Sequence, residues 1–346
     1  MKALVLGVNT RAVVNSLKTL GFYVISVSYY SPEDLNADEN YYFINKEKHG
    51  NFWENYNERL IIEKANELVD DVDYIFICSG VFEHYYKKVD WNNIVGNSPK
   101  VIYKLSNKYY IYKKLKNLGY SIPEFKKINN IHQLEKFLDE YKKIVIKPFN
   151  CKGVIKLSSY KDIGKYNLSF PVLAQEYISS PSYSINFINN NFITFNKQII
   201  FNGIYAGNIV PYSLPKKLIG IFEDIIEIFE LKGMNGFDFL IDDDVKIIDV
   251  NPRILGTYDS IEISSNNNLA KSLLFNKKIT PKNRVIKRII FAKKRGRYFV
   301  PNIEGFYDIP KNGAIIEKNN PITTIIKEKN IKEEIKRIKC DEYEIR

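Results

Sequence analysis

A short acidic turn between two apolar runs constrains this chain more than any other segment. The turn spans residues 242–244, and the apolar runs on either side predict the two strands of a β-hairpin. Because side chains alternate along a strand, Asp249 and Asn251 leave the same face, and Asp238 on the other strand can join them. The sequence therefore predicts a hairpin that carries three oxygen donors on one side.

The chemistry of these three donors favours a nucleotide site. Carboxylate and amide oxygens suit Mg²⁺, which usually binds phosphate oxygens as well. Arg253 follows two residues after Asn251, and its planar guanidinium can hold an anion through two hydrogen bonds. Acidic hairpins also occur as ordinary solvated turns, so other segments must decide between the two interpretations.

Composition excludes several classes of protein. The chain has 346 residues, 45% of them hydrophobic, which is enough for two or three packed domains. The cysteines form no CxxC pair and the histidines have no metal-ligand spacing, so neither a disulfide framework nor a zinc site is expected. These residues are Cys78, Cys151, Cys340, His49, His84 and His132. Without a signal-peptide pattern or an apolar run of about 18 residues, we expect a cytoplasmic protein with no membrane span.

One basic segment contributes much of the net charge of +11. Residues 277–297 contain ten basic side chains and no acidic one. Such a segment can be a solvated strand-and-loop face, a site for an anionic substrate, or a nucleic-acid surface. Because no recognisable nucleic-acid-binding motif accompanies it, a nucleic-acid partner is not expected.

The first 97 residues alternate between strand and helix patterns. Strands are predicted over Ala3–Leu6, Tyr23–Ser28 and Asp73–Cys78, with helical periodicity between them. This alternation predicts an α/β unit with a parallel sheet. The loop after the first strand has the single glycine Gly7 and no GxGxxG motif, so a dinucleotide site is not expected.

Two lysines and a strand end can contribute to a nucleotide site. Lys108 opens a predicted helix, and Lys147 ends an apolar strand just before Pro148. Both are compact cations that could converge on phosphates. The segment Gln175–Ile178 is an apolar strand end with an acid, and its polar groups could hydrogen bond to adenine. Taken singly, each of these features is also typical of ordinary surface.

The order and spacing of these segments resemble the ATP-grasp superfamily of carboxylate–amine ligases. The segments that carry the resemblance are Asn107-Lys108, Lys147-Pro148, Gln175-Glu176-Tyr177-Ile178, Ser184, Asn235-Gly236-Phe237-Asp238 and Asp249-Val250-Asn251-Pro252-Arg253. The segments Ala206–Pro211 and Asp308–Gly313 look closest to the archaeal-type predicted ATP-dependent carboligase branch, which is related to biotin carboxylase. The resemblance covers about residues 1–275.

The resemblance implies an α/β fold, α+β in part, with several divisions. An N-terminal Rossmann-like pre-ATP-grasp domain would precede a two-subdomain ATP-grasp fold and a small C-terminal β extension. The expected boundaries are 1–97 for the N-terminal domain, 98–172 for the small subdomain, 173–276 for the large subdomain with the Mg-ATP site, and 277–346 for the basic extension.

The resemblance also implies a role for each matching residue. ATP and Mg²⁺, or Mn²⁺ in its place, are the implied cofactors. The metal ligands would be Asp238, Asp249 and Asn251, and Arg253 and Lys147 would act on the transferred phosphate. The nucleotide-binding residues would be Lys108, Lys147, Gln175, Glu176, Tyr177, Ile178 and Ser184, with Glu176 as the adenine-side acid and Tyr177 and Ile178 as the hinge.

The implied reaction forms a C–N bond. A small carboxylate attacks the γ-phosphate of ATP to give an acyl phosphate, and an amine or similar nucleophile then displaces phosphate. Such phosphoryl transfer depends on positioning and charge neutralisation, so it needs no nucleophilic side chain. The implied partners are a small-molecule carboxylate and a small-molecule amine, with no membrane and with a homodimer as the candidate assembly.

Two features leave alternatives open. The segment Phe149–Val154 has one glycine where relatives have a glycine-rich phosphate loop, although Lys152 could supply a charge there. In addition, Asp249 stands where relatives usually carry Glu. One alternative is therefore a non-catalytic or regulatory ATP-binding protein. The other is a polyanion-binding protein that uses the basic segment 277–297.

Overall fold

The computed structural model describes residues 1–44, 52–148, 154–166 and 168–342. In the N-terminal part, strands β1 to β4 span Lys2–Gly7, Tyr23–Ser28, Glu39–Tyr42 and Tyr74–Ile77. Helices α1 to α3 span Arg11–Thr19, Phe52–Asn55 and Glu58–Asn66. A 3₁₀ helix spans Val69–Asp71. The four strands form one parallel sheet in the order β3-β2-β1-β4, as the alternation of strand and helix patterns predicts.

This parallel sheet is buried on both faces. Along β1, Ala3 and Val5 pack in a cluster that includes α1, whereas Leu4 and Leu6 pack in a second cluster that includes α3. A strand covered on both sides needs apolar residues at every position, which explains the continuous apolar run at the start of the chain.

The following region carries a helix pair and a small sheet. Its helices α4 to α7 span Pro99–Ser106, Lys108–Asn117, Ile131–Tyr141 and Tyr160–Ile163. Its strands β5 to β8 span Phe125–Ile128, Ile144–Pro148, Ile155–Leu157 and Val172–Glu176, in the antiparallel order β5-β8-β6-β7. The Asn107 side chain accepts a hydrogen bond from the Tyr110 N–H and so caps α5. This cap fixes Lys108 at the first position of the helix.

The largest sheet has eight strands. Strands β9 to β14 span Ser182–Ile188, Asn191–Phe201, Ile204–Tyr212, Met234–Ile241, Val245–Asn251 and Val285–Phe291, and β16 and β18 span Phe306–Tyr307 and Pro321–Lys327. Their order is β13-β12-β9-β10-β11-β14-β18-β16. Strands of the predicted C-terminal extension therefore continue the sheet that carries the acidic hairpin.

The remaining elements flank this sheet. Strands β15, β17 and β19 form a separate three-stranded sheet and span Gly296–Phe299, Ile315–Ile316 and Lys339–Glu342. Helices α8 to α11 span Ile219–Ile228, Tyr258–Ser265, Leu269–Phe275 and Ile331–Ile335. A 3₁₀ turn at Lys216–Leu218 directly precedes α8.

The two faces of the eight-stranded sheet differ in chemistry. Ile185, Phe187, Phe237 and Phe239 pack with α8 in one apolar cluster. The alternate residues of the same strands, such as Ser184 and Asp238, point to the opposite face. That polar face carries the candidate site. None of the helices in the described part of the chain has the length and apolar character that a bilayer span requires.

Candidate nucleotide and metal site

The hairpin of β12 and β13 brings the three predicted metal ligands together. Asp238 is directly paired with Asp249, and Gly236 with Asn251, in the antiparallel register. The amide nitrogen of Asn251 lies 3.5 Å from Oδ2 of Asp238. The face-sharing that period-two alternation predicts is therefore present in the structure.

The electrostatics of this face fit a divalent cation. Burial raises the pKa of Asp238 to about 7, and the negative charge of Asp249 contributes to the rise. Within the described ranges, no cluster of three or more His, Cys, Asp or Glu side chains could hold a metal. Two carboxylates and one amide oxygen would leave other positions of a Mg²⁺ ion to water and phosphate oxygens.

Both predicted phosphate-binding lysines approach the hairpin. Nζ of Lys108 lies 2.5 Å from Oδ2 of Asp249. Nζ of Lys147 donates to the hydroxyl oxygen of Tyr112 over 2.5 Å and lies 3.3 Å from the carbonyl oxygen of Ile248. Burial lowers the pKa of Lys147 to about 7, and the positive charge of Lys108 lowers it further.

Tyr112 is a site residue that the sequence predictions missed. Its hydroxyl lies 2.5 Å from the carbonyl oxygen of Ile248 and 3.1 Å from Oε1 of Gln175. It follows Lys108 by four residues in α5, so both side chains lie on one face of the helix. This spacing is the signal that could have identified it. The predicted nucleotide-binding residue Gln175 is buried and holds this hydroxyl.

Of the predicted hinge residues, Gln175 approaches Lys147 through Tyr112, whereas Glu176, Tyr177 and Ile178 make contacts elsewhere. The carboxylate of Glu176 accepts a hydrogen bond from the Glu124 N–H at 2.9 Å, and so ties β5 to β8. Strand alternation places the Glu176 side chain on the opposite face from Gln175. The Tyr177 N–H donates to the carbonyl oxygen of Lys143 at 3.0 Å. The carbonyl oxygen of Ile178 accepts a hydrogen bond from the Ser180 N–H, also at 3.0 Å.

A cavity of about 230 Å³ lies beside the hinge. It is lined by Lys143, Ile144, Lys156, Leu157, Ser158 and Tyr177. Nζ of Lys156 stands 4.6 Å from the centroid of the Tyr177 ring, in a cation–π contact. The neighbouring segment Phe149–Val154 lies outside the described residues except for Val154, so the predicted role of Lys152 has no structural description.

A band of buried amides continues the polar face away from the hairpin. Ser184 is paired with Asp238 on one side and Asn196 on the other, and its Oγ makes no hydrogen bond among the described residues. Asn196 donates to Asn186, and Asn208 donates to Asn196 and, at 3.0 Å, to Ser260 of α9. Single asparagines on separate strands gave no pattern that would reveal this band from sequence.

Arg253 lies between the hairpin and the N-terminal domain. Its Nη2 donates to Oδ1 of Asn251 at 3.0 Å, and its Nε lies 2.7 Å from Oε1 of Glu83. Gln198 approaches the same face from β10 and donates to Oδ1 of Asp238 at 2.8 Å. Glu83 and Gln198 were also missed, because each belongs to a segment far from the hairpin in sequence.

The basic segment 277–297 contains residues that form ion pairs with acidic side chains. Lys287 is buried and lies 2.6 Å from Oδ1 of Asp259. Nε of Arg295 lies 3.1 Å from Oε1 of Glu317. The exposed members are Lys277, Lys278, Lys282, Arg284, Arg288, Lys293, Lys294 and Arg297.

Two cysteines and two histidines lie in the described part of the chain. Cys78 and Cys340 are free thiols. The backbone N–H of His84 donates to Glu58, and Nδ1 of His132 lies 4.0 Å from Glu135 on the surface. His49 and Cys151 lie outside the described residues.

Comparison with known proteins identifies the family. A family profile described as the ATP-grasp domain matches residues 105–257, which include the lysines and the hairpin. The chain belongs to the ATP-grasp superfamily. An uncharacterized protein of Methanocaldococcus jannaschii is 55% identical to this chain over 358 residues, which cover 100% of this chain and 94% of that protein.

Solved structures show the ATP-grasp fold over almost the whole chain. Phosphoribosylamine–glycine ligase of Thermotoga maritima matches with a TM-score of 0.70 at 15% identity, covering 99% of this chain and 98% of its own. The N5-carboxyaminoimidazole synthetase of Staphylococcus aureus, complexed with ADP, matches with a TM-score of 0.70 at 14% identity, covering 97% of this chain and 95% of its own. Biotin carboxylase of Campylobacter jejuni matches with a TM-score of 0.67 at 15% identity, covering 98% of this chain and 92% of its own.

Proposed function

We propose that this ATP-grasp protein is a Mg-ATP-dependent ligase that activates a small carboxylate as an acyl phosphate and joins it to an amine. The observation that carries the proposal is the convergence of Lys108 and Lys147 on the face of Asp238 and Asp249. Cations and carboxylates that converge in one partly buried place can neutralise phosphate groups and hold a divalent ion together. Ligases and ADP complexes among the proteins of the same fold support this proposal.

In this proposal each charged residue has a separate role. Lys108 and Lys147 bind the phosphates of ATP, and Arg253 faces the group that is transferred. Asp238, Asp249 and Asn251 would hold Mg²⁺, or Mn²⁺ in its place. When bound, the metal would supply positive charge that offsets the negative charge of the phosphates.

The adenine end of the nucleotide lies at the hinge in this proposal. The cavity beside Tyr177 supports this placement. The carboxylate of Glu176 is bound to the Glu124 N–H, and the N–H groups of Glu176 and Tyr177 donate to carbonyl oxygens. Other backbone groups of residues 176–178, such as the Ile178 N–H, would therefore contact the ring. Gln175 acts through Tyr112, and the Oγ of Ser184 contributes a hydrogen-bonding group at the polar face.

The reaction proceeds in two displacements. An oxygen of the carboxylate attacks the γ-phosphorus, the bond from phosphorus to the β–γ bridging oxygen breaks, and ADP leaves. The amine nitrogen then attacks the carbonyl carbon of the acyl phosphate. Phosphate leaves with the oxygen that came from the carboxylate, and the nitrogen loses a proton. The partners are small molecules, and a homodimer is the candidate assembly.

A phosphate-release screen tests the proposal. Amino acids and other small carboxylates are paired with amines in the presence of Mg-ATP, and active pairs should release phosphate and ADP together. Asp249→Ala should abolish this release, because it removes a metal ligand and the partner of Lys108. Asp243→Asn is the matched control, because Asp243 is exposed at the turn of the same hairpin.

Two results of the screen would contradict the proposal. One is turnover that Asp249→Ala leaves unchanged. The other is Mg-ATP binding without phosphate release for any pair, which would favour the non-catalytic ATP-binding alternative.

A further inference from the structure

A largely buried ion pair joins the acidic hairpin to the loop that follows β4 in the N-terminal domain. Nε of Arg253 lies 2.7 Å from Oε1 of Glu83, and the two side chains are only 12% and 9% exposed. Glu83 follows β4, so it lies on the side of the parallel sheet where the carboxyl-terminal ends of the strands are found. The two residues are 170 positions apart in sequence.

The Glu83 carboxylate is held in place by its own loop. The Gly80 N–H donates to Oε1 of Glu83 at 2.5 Å. Phe82, directly before it, has a positive φ of 60°, a backbone conformation that side chains other than glycine seldom adopt. The loop therefore presents the carboxylate in one fixed orientation.

The backbone after the hairpin is anchored to the same sheet. The Ile254 N–H donates to the carbonyl oxygen of Ile77 at 3.2 Å, and Cys78 forms a parallel bridge with Ile254. Arg253 therefore lies between the end of the hairpin and Ile254, the residue that contacts β4. Its position depends on both the hairpin and the N-terminal domain.

The guanidinium of Arg253 is consequently held at all three of its nitrogens. Nε is held by Glu83, Nη2 donates to Oδ1 of Asn251 at 3.0 Å, and Nη1 donates to the carbonyl oxygen of Ile254 at 3.5 Å. In a planar guanidinium held in this way, the direction of the remaining N–H donors is set as well. Because Asn251 is itself 3.5 Å from Asp238, the Nη2 end of the guanidinium lies next to the candidate metal ligands.

We propose that Glu83 is a positioning residue for Arg253 that orients the guanidinium toward the transferred phosphoryl group. The inference rests on the proposed function. A buried ion pair adds little net stability relative to apolar residues of similar size, because desolvation offsets the Coulombic attraction. The ion pair instead orients the guanidinium of Arg253. It also links the N-terminal domain to the phosphate end of the proposed ATP site.

Calorimetric titration with two probes tests this role. MgADP alone reports the nucleotide site, whereas MgADP with aluminium fluoride imitates the phosphoryl group in transfer. Glu83→Gln keeps the shape of the side chain and removes its charge. We expect it to leave the MgADP Kd within about twofold and to weaken the aluminium fluoride complex at least about tenfold, as loss of one preorganised charge contact does.

A double-mutant cycle separates positioning from an independent effect. Arg253→Lys should also weaken the aluminium fluoride complex, and adding Glu83→Gln to it should cause little further loss, because the carboxylate acts through the arginine. Glu63→Gln is the matched control, since Glu63 pairs with Arg59 on the surface of the same domain. It should bind both probes like the wild type.

The outcomes distinguish the two proposals. Wild-type affinity of Glu83→Gln for the aluminium fluoride complex would overturn the positioning role. Losses that multiply in the double variant, or an equal loss of MgADP binding in Glu83→Gln, would overturn it as well. Failure of the wild type to bind MgADP would instead overturn the proposed function, and the positioning role with it.

Discussion

Lys147 donates a hydrogen bond to the hydroxyl oxygen of Tyr112, and 2.5 Å separates the two atoms. Tyr112 belongs to α5, whose first residue is Lys108. One helix therefore carries one of the two candidate phosphate-binding cations and positions the other. This arrangement connects the small sheet that carries Lys147 to the acidic hairpin, because the Tyr112 hydroxyl also lies 2.5 Å from the Ile248 carbonyl oxygen.

Tyr112→Phe should weaken nucleotide binding. The variant keeps the ring but leaves Lys147 and Gln175 without their shared partner, at a cost of about 1–3 kcal/mol for unsatisfied buried groups. We expect the MgADP Kd to rise about tenfold, which corresponds to 1.4 kcal/mol. Tyr110→Phe in the same helix is the control. Equal MgADP affinities for the two variants would refute the positioning of Lys147 by Tyr112.

Affinity for MgADP should be greatest near pH 7. Asp238 has a pKa raised to about 7, so below this pH its proton competes with the metal. Lys147 has a pKa lowered to about 7, and bound phosphates should raise it, so binding above pH 7 requires proton uptake and affinity falls as pH rises.

Titrations across pH 5.5–9 check this profile with Lys147→Met and the exposed-site control Lys126→Met. Lys147→Met should bind more weakly and lose the decline above pH 7. The control should keep the full profile. A decline that persists in Lys147→Met would show that another group titrates there.

Much of the site followed from local sequence rules. Strand alternation predicted the common face of Asp238, Asp249 and Asn251, because their pairing needs only a tight turn between adjacent strands. The cap at Asn107 likewise fixed Lys108 at a helix start. Local rules do not extend to Glu83, because its contact with Arg253 depends on how two distant sheets pack.

The side chain of Glu176 makes another contact that local sequence rules do not predict. The sequence placed this acid at the right strand end, but the partner of its carboxylate is the backbone N–H of Glu124, directly before β5. These two residues are 52 positions apart, and the pairing of β5 with β8 brings them together. The same limit applies to β14 and β18, whose place in the eight-stranded sheet depends on long-range pairing.

Arg11→Met should destabilise the fold strongly. Buried Arg11 lies 2.9 Å from Asp259 and 3.0 Å from Asp308, and it joins the N-terminal domain to α9 and to the C-terminal region. Its removal takes this cation from Asp308 and leaves Asp259 with Lys287, and the loss of a cation from such a cluster costs about 3–5 kcal/mol. Urea denaturation measures the change. Arg59→Met, which breaks an exposed pair with Glu63, should cost at most about 1 kcal/mol.

The effect of Arg11→Met should depend on pH. Burial raises the pKa of Asp308, but the charge of Arg11 outweighs this and holds it below its usual range. A carboxyl group with a lowered pKa stabilises the fold above its unfolded pKa of about 4 and loses this contribution as pH falls. The difference between wild type and variant should therefore shrink below pH 4. A constant difference would contradict the assignment.

Gly207→Ala should disrupt the junction between β11 and β14. Gly207 has a φ of +134°, and an added Cβ would lie 2.0 Å from the carbonyl oxygen of Lys287. Strain and overpacking together should cost on the order of 3 kcal/mol. Gly220→Ala in α8 is the control, because nothing lies within 4 Å of its added Cβ, and it should be neutral or stabilising. Thermal unfolding of both variants checks the difference.

The most direct test of the ligase proposal follows an oxygen atom. An active pair from the phosphate-release screen is supplied with ¹⁸O in the carboxylate, and the released phosphate is analysed by mass spectrometry. The acyl phosphate route predicts one ¹⁸O in each phosphate, and no labelled phosphate from Asp249→Ala. Phosphate without ¹⁸O, formed at the same rate, would contradict activation of the carboxylate by phosphoryl transfer.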